Sequence, residues 1–208
     1  MHITVISDTH GKHRELHLPG GEMLLHAGDI SSVGQVGEVR DFLDWFADLD
    51  YRHKIFIAGN HDFFFEKENP ALIADMIPED VIYLNDSGTE IEGLKIWGSP
   101  VTPWFYNWAF NRRRGAEIRK HHNLIPADTD ILLTHGPAFE ILDETTGMQQ
   151  AGCVDLRERI AAVRPRLHAC GHIHEAYGEK ILDGIHYMNA SVLDERYRLV
   201  NAPLTVEL

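Results

Sequence analysis

Short apolar runs rich in β-branched residues recur at residues 3–6, 23–27, 54–58, 94–97, 131–134 and 167–170. They are short and mostly non-alternating, which predicts strands in sheets covered on both faces. Between some of them the period changes. Over residues 35–50, Val36, Val39, Leu43, Phe46 and Leu49 recur at three- and four-residue steps, giving a helix one apolar face. Residues 68–77, with Pro70 early, and 153–163, ended by Arg164-Pro165, predict further helices, and residues 112–122 a less regular one. Residues 177–182, 185–189 and 204–208 read as strands, the first two joined by an Asp183-Gly184 turn. This alternation predicts a mixed α/β (α+β) fold. No repeat, low-complexity tract or linker interrupts it, so residues 1–208 are expected to form one domain. Residues 99–115 are expected to be an ordered surface loop near a site.

Composition narrows the class. With 208 residues, 44% of them hydrophobic and 25% charged, the chain can bury a substantial core and is neither a disordered tail nor a disulfide scaffold. The count of 19 Lys+Arg against 32 Asp+Glu gives a formal net charge of -13, which opposes long nucleic acids and anionic membranes as partners. Cys153 and Cys170 form no C-x-x-C pair, so they are expected to be small buried residues rather than a disulfide or thiolate zinc site. No stretch approaches the ~20 apolar residues of a membrane span, and the expected compartment is the cytoplasm.

The unusual figure is 14 histidines, and the chemistry lies in the residues just after each apolar run. The first leads into Asp8-Thr9-His10, the second into Gly28-Asp29, and the third into Gly59-Asn60-His61-Asp62. The run at 131–134 ends at His135-Gly136-Pro137, and that at 167–170 at Gly171-His172-Ile173-His174. Carboxyl ends of strands in open α/β sheets share a rim where ligands bind, so Asp8, His10, Asp29, Asn60, His135, His172 and His174 are expected to meet. Imidazole, carboxylate and amide oxygen suit Mn, Fe, Zn, Co or Ni. Seven groups exceed the needs of one ion. Two ions sharing a carboxylate use them all, an arrangement suited to displacement at phosphorus. Each fragment alone is ordinary turn composition. Their joint occurrence after five predicted strands is what argues for a site.

With those residues in place, the chain resembles the calcineurin-like metallophosphoesterase superfamily, whose pattern runs D-x-H, G-D, G-N-H-[DE], H, G-H-x-H. The match spans Asp8 to His174. Trp97-Gly98-Ser99-Pro100, Thr102-Pro103-Trp104-Phe105 and Asn189-Ala190-Ser191 are similar to the branch of metallophosphoesterase-domain brain proteins and their microbial relatives. The resemblance implies two facing mixed β-sheets forming a sandwich flanked by helices. It implies two divalent transition metal ions, manganese foremost, one held by Asp8, His10 and His174, the other by Asn60, His135 and His172, with Asp29 bridging. A metal-bridging hydroxide would attack phosphorus in line, and His61 would give a proton to the leaving oxygen. Asp62 is a candidate to tune His61.

Phosphoprotein phosphatases of this superfamily continue G-D-x-x-D-R-G, whereas this chain reads Gly28-Asp29-Ile30-Ser31-Ser32-Val33-Gly34. The missing Asp removes a support for the acid histidine, and the missing Arg a clamp on a monoester dianion. The expected substrates are therefore small phosphodiesters, and the resemblance to the branch named above implies cyclic nucleotides among them. Arg112-Arg113-Arg114 would restore a monoesterase if that loop covered the site. A nuclease, a non-catalytic scaffold and a barrel amidohydrolase are the remaining alternatives. The aromatics between Thr102 and Asn111 read equally as a base-stacking platform and as loop core, with one or two expected to face the cleft. Phe63-Phe64-Phe65 is expected in the core. His2, His26, His53, His168 and His186 are expected to be hydrogen-bonded structural residues, and His13, His17, His121 and His122 solvent-facing.

Overall fold

The computed structural model describes residues 1–208. In chain order the elements are β1 (His2–Ile6), β2 (Met23–His26), α1 (Val36–Ala47), β3 (His53–Ile57), α2 (Phe63–Lys67), α3 (Pro70–Met76), β4 (Val81–Leu84), β5 (Ser87–Ile91) and β6 (Leu94–Ser99). Next come β7 (Thr102–Pro103), β8 (Asn111–Arg112), α4 (Ala116–His122), β9 (Ile131–Thr134), α5 (Val154–Val163), β10 (Leu167–Cys170), β11 (Gly178–Leu182), β12 (Ile185–Asn189) and β13 (Leu204–Glu207).

The strands form two large mixed sheets, ordered β13-β1-β2-β3-β4 and β11-β12-β10-β9-β6-β5. In the first, β1 to β4 are parallel, and in the second β6, β9, β10 and β12 are. Ile3, Val5, Ile55 and Ile57 of one sheet pack against Ile96, Ile131, Leu133 and Ala169 of the other. The outward face of the first sheet is covered by Val39, Phe42, Leu43 and Phe46 of α1, and that of the second by Ile118 of α4 and Leu156 and Ile160 of α5. Burial on both faces is why the strand sequences lack polar alternation. The sheets are joined at one rim, where Ser7 pairs with Ser191 and the Val192 amide donates to the Ser7 carbonyl at 3.0 Å.

Local chemistry explains the helix ends. A reciprocal capping box between Gln35 and Glu38 opens α1, and Asn69 accepts from the Ala71 amide ahead of Pro70 in α3. The expected helices are present but shorter, since flanking residues that keep the period go into caps and turns. Asp183 and Gly184 both take positive φ, 53° and 79°, the geometry of a tight hairpin turn. The strands β4 and β5 and the short α2 were not expected. Much of β4 and β5 is only half-buried or exposed, so no continuous apolar run marks them. The residues 99–115 are ordered as expected but contain the β7–β8 pair.

Two histidines expected in solvent are buried. His13 lies against Phe42 and Trp45 with Nε2 3.0 Å from Asp41, and His122 faces Cys153 from the inner side of α4. Their neighbours in sequence are polar, and only the tertiary packing covers them. The five expected structural histidines are hydrogen-bonded, and both cysteines are buried and free.

His168 carries a testable pH dependence. Its Nε2 lies 2.8 Å from Thr134 Oγ1, its Nδ1 is buried without a partner, and burial pushes its pKa from 6.5 down to about 3. The folded state thus binds fewer protons, so this contribution is complete above pH 6.5 and is lost as pH falls toward 3. Between pH 7.5 and pH 5 the wild type should lose about 2 kcal/mol that a His168→Gln variant does not. Urea-unfolding midpoints of both proteins at the two pH values measure this, and parallel losses would contradict it.

Candidate metal centre

The parallel arrangement brings the carboxyl ends of β1, β2 and β3 to the same rim as those of β9 and β10. Asp8 and His10 follow β1, Asp29 follows β2, Asn60 and His61 follow β3, His135 follows β9, and His172 and His174 follow β10. Ligand atoms of Asp8, His10 and His174 lie within 4.8 Å of one another, as do those of Asp29, His135 and His172. Asn60 Oδ1 is 2.9 Å from His135 Nε2. Asp29 Oδ2 stands between the groups, 3.6 Å from His10 Nε2 and 3.3 Å from His135 Nε2. All seven expected ligand residues are therefore brought together.

Backbone groups aim the rings. His10 Nδ1 donates to the Ser31 carbonyl at 3.1 Å, His135 Nδ1 to that of Ala27 at 3.0 Å, and His174 Nδ1 to that of Asp194 at 2.9 Å. Each leaves Nε2 free to face the centre, the tautomer a metal ligand requires. The Asp8 carboxylate accepts from the His172 amide and from Ser191 Oγ at 2.7 Å, and Asp29 Oδ1 from the His61 amide at 2.8 Å. Asp8, His10, Asp29 and His172 all hold φ between 42° and 70°, a left-handed backbone in which Asp and His are among the side chains found more often. The glycines of the motifs are required for close approach. A Cβ on Gly171 would lie 2.1 Å from Asp8 Oδ2, and one on Gly59 2.3 Å from Asp29 Oδ1.

The charges fit a cationic occupant. Burial alone would raise Asp8, but its hydrogen bond to His174 and the charges of His174, His135 and His10 hold it well below the usual carboxylate range. Burial likewise opposes ionisation of Asp29, and its contacts with His135 and the charges of His10 and His61 overcome it. Asp29 and Asp8 in turn raise His135 and His174, against burial, to about 9, while burial keeps His172 neutral at about 3. Buried anions surrounded by convergent imidazoles form a nitrogen and oxygen donor set that suits two divalent ions, which would displace protons from His135 and His174 on binding.

Asp62 is a correction. It is fully buried, and its carboxylate accepts from the amides of Gly59, Ile30 and Ser31 and from Ser31 Oγ at 2.6 Å. None of these bonds goes to His61. Burial and the Asp29 charge push its pKa up to about 7. Its role is to tie the turn after β2 to the turn after β3. His61 is supported instead by the Ser32 carbonyl, 2.6 Å from its Nδ1. Ser32 occupies the position of the missing Asp, so the support persists through the backbone, which no side-chain pattern reveals.

A cavity of about 520 Å³ opens beside these groups, walled by Trp104, Phe105, Trp108 and Tyr197 and by Gln149 and Gln150. Three loop aromatics thus face the cleft rather than one or two. Phe110 enters the core, and Phe64 and Phe65 are buried as expected. Two of the three arginines are tied away from the ligand residues. Arg112 pairs with Glu66 at 3.0 Å, and Arg114, on the cavity wall, donates to the carbonyls of Gly152 and Ala151. Tyr197, which packs against His10 and His174, and Asp194, which supports His174, lie beyond the last motif and carried no sequence signal, while Ser191, which donates to Asp8, stood only in a stretch quoted for the resemblance.

The model of one family, calcineurin-like phosphoesterase, matches residues 1–176. Human metallophosphoesterase domain-containing protein 1 is 40% identical over 229 residues, covering 98% of this chain and 69% of that protein. A UPF0046 protein of Caenorhabditis elegans is 33% identical, covering 98% of this chain and 59% of its own length. Among solved structures, the phosphopantetheinyl hydrolase of Mycobacterium tuberculosis superposes with a TM-score of 0.64 at 15% identity, covering 94% of this chain and 90% of that one, which shows a shared fold. No helix is long and apolar enough to cross a membrane.

Proposed function

Because the chain belongs to the calcineurin-like phosphoesterase family and is a metal-dependent phosphoric ester hydrolase, we propose that it cleaves small phosphodiesters, cyclic nucleotides among them, with manganese as the working metal. The family employs a dinuclear divalent centre. Asp8, His10 and His174 would hold one ion, Asn60, His135 and His172 the other, and Asp29 both. Bound there, the ions would polarise the phosphoryl oxygens and lower the pKa of water at the site.

The residues of the chain supply the rest. The turns after β1, β2 and β3 hold the carboxylates and rings in place before substrate arrives, so little reorganisation remains for the reaction. His61, held at Nδ1 by Ser32, has Nε2 free to carry a proton to the departing oxygen. On the aromatic wall, Trp104 and Phe105 offer faces for a base or another flat substituent.

One observation carries the diester reading: the cations nearest the cleft, Arg114 and Lys12, are tied to backbone carbonyls, and none stands where a phosphatase carries its arginine. Position 33 is Val, Arg114 is committed to backbone carbonyls, and Lys12, in the adjoining recess, is held by the Tyr197 carbonyl. With both ions bound, a monoester dianion would find no arginine clamp beyond them for its extra charge, while a diester monoanion needs none. With Mn2+ supplied, kcat/KM for bis-p-nitrophenyl phosphate should exceed that for p-nitrophenyl phosphate in the same buffer. The reverse order would assign the protein to phosphomonoesters.

A further inference from the structure

His61 is only half-buried, and one hydrogen bond at Nδ1 does not fix the plane of its ring. Two neighbours do. The indole of Trp108 lies face on, 4.3 Å between centroids and 26° from parallel, and His10 presents its ring edge-on at 4.5 Å and 79°. Trp108 is itself braced by Phe63, 5.9 Å away, beneath the Lys67 ammonium. The backbone reinforces the pairing. The amide of Ala109, next to Trp108, donates to the carbonyl of Asn60, next to His61, at 3.1 Å. Indole and imidazole are thus carried on two segments joined by a direct hydrogen bond. The strand pair β7–β8 fixes the ends of the segment bearing Trp108.

We propose that Trp108 is a positioning residue for His61, setting the ring plane so that Nε2 faces the leaving group, and is not a platform for the substrate base. The proposal rests on the reading that His61 delivers a proton to the departing oxygen. The loop aromatics then divide their work. Trp108 is committed to His61, while Trp104, 57% exposed, and Phe105 remain open to the cleft. An acid whose ring rotates freely spends much of its time misdirected, and alignment losses of this kind slow the chemical step without weakening binding.

The test uses the full chain in two measurements. In 1H–13C spectra of histidine-labelled protein, the His61 Hε1 resonance should carry the upfield ring-current shift of a stacked indole, lose it in Trp108→Ala and largely keep it in Trp108→Phe. Across aryl and alkyl methylphosphonate or phosphate diesters of rising leaving-group pKa, Trp108→Ala should lower kcat about tenfold for poor leaving groups and little for good ones, with KM and bound metal unchanged. Trp108→Phe should restore most of the loss. In a His61→Ala background, Trp108→Ala should add nothing. A rise in KM in both backgrounds, or an unshifted His61 resonance in Trp108→Ala, would overturn the proposal. If the wild type cleaves monoesters only, the diester reading fails, while the resonance and the same comparison on monoesters still decide the role of Trp108.

Discussion

Asp29→Asn should empty both metal positions and lower kcat/KM by about 10³-fold or more, some 4 kcal/mol of transition-state stabilisation. The carboxylate is buried, approaches both His10 and His135, and is the one anion shared by the two ligand clusters. Replacing it with an amide removes a charge from each ion at once. The fold should tolerate the change, because residue 29 has a φ of 55°, and Asn adopts that conformation as readily as Asp. The amide oxygen can still accept from the His61 backbone. Metal analysis after gel filtration, read beside the melting temperature, separates the outcomes. Full metal content in the variant would remove Asp29 from the centre, and a collapsed melting temperature would make it a folding residue.

His61→Ala should give the opposite pattern, with metal retained and kcat reduced about 10² to 10³-fold for alkyl leaving groups, but far less for p-nitrophenolate, which departs without a proton. The ring packs on the half-buried Trp108 and on His10, whose own ring is independently held by the Ser31 carbonyl, and its Nδ1 partner is the carbonyl of the exposed Ser32. The decisive quantity is the slope of log kcat against leaving-group pKa. A steeper slope in the variant supports proton delivery, whereas equal loss along the series would mean that His61 serves by binding the phosphoryl group.

The two predictions draw on parts of the molecule that were unequally visible in the sequence. The ligand residues follow apolar runs that could be read as strands, and parallel pairing of β1 with β2 and β3, and of β9 with β10, makes every such run end at one rim. Position after a strand therefore translated directly into position in space. The supports did not translate. Ser32, Ala27, Ser31 and Asp194 act through carbonyl oxygens, which every residue possesses. Asp62 shows the converse failure. It stands next to His61 in sequence, yet its carboxylate is spent on amides of the Gly59 and Ile30–Ser31 turns. Edge strands such as β5 were illegible because side chains alternating between solvent and core leave no apolar run.

The left-handed backbone at Asp8, His10, Asp29 and His172 also constrains the protein's descent. Mutation reaches few residues that such a backbone accepts, and Asn is foremost among them. At Asp8 and Asp29, where the ligand is a carboxylate, that substitution deletes the charge and leaves the chain path intact. A chain carrying Asn at either position would thus lose the reaction while keeping the fold and its aromatic cleft.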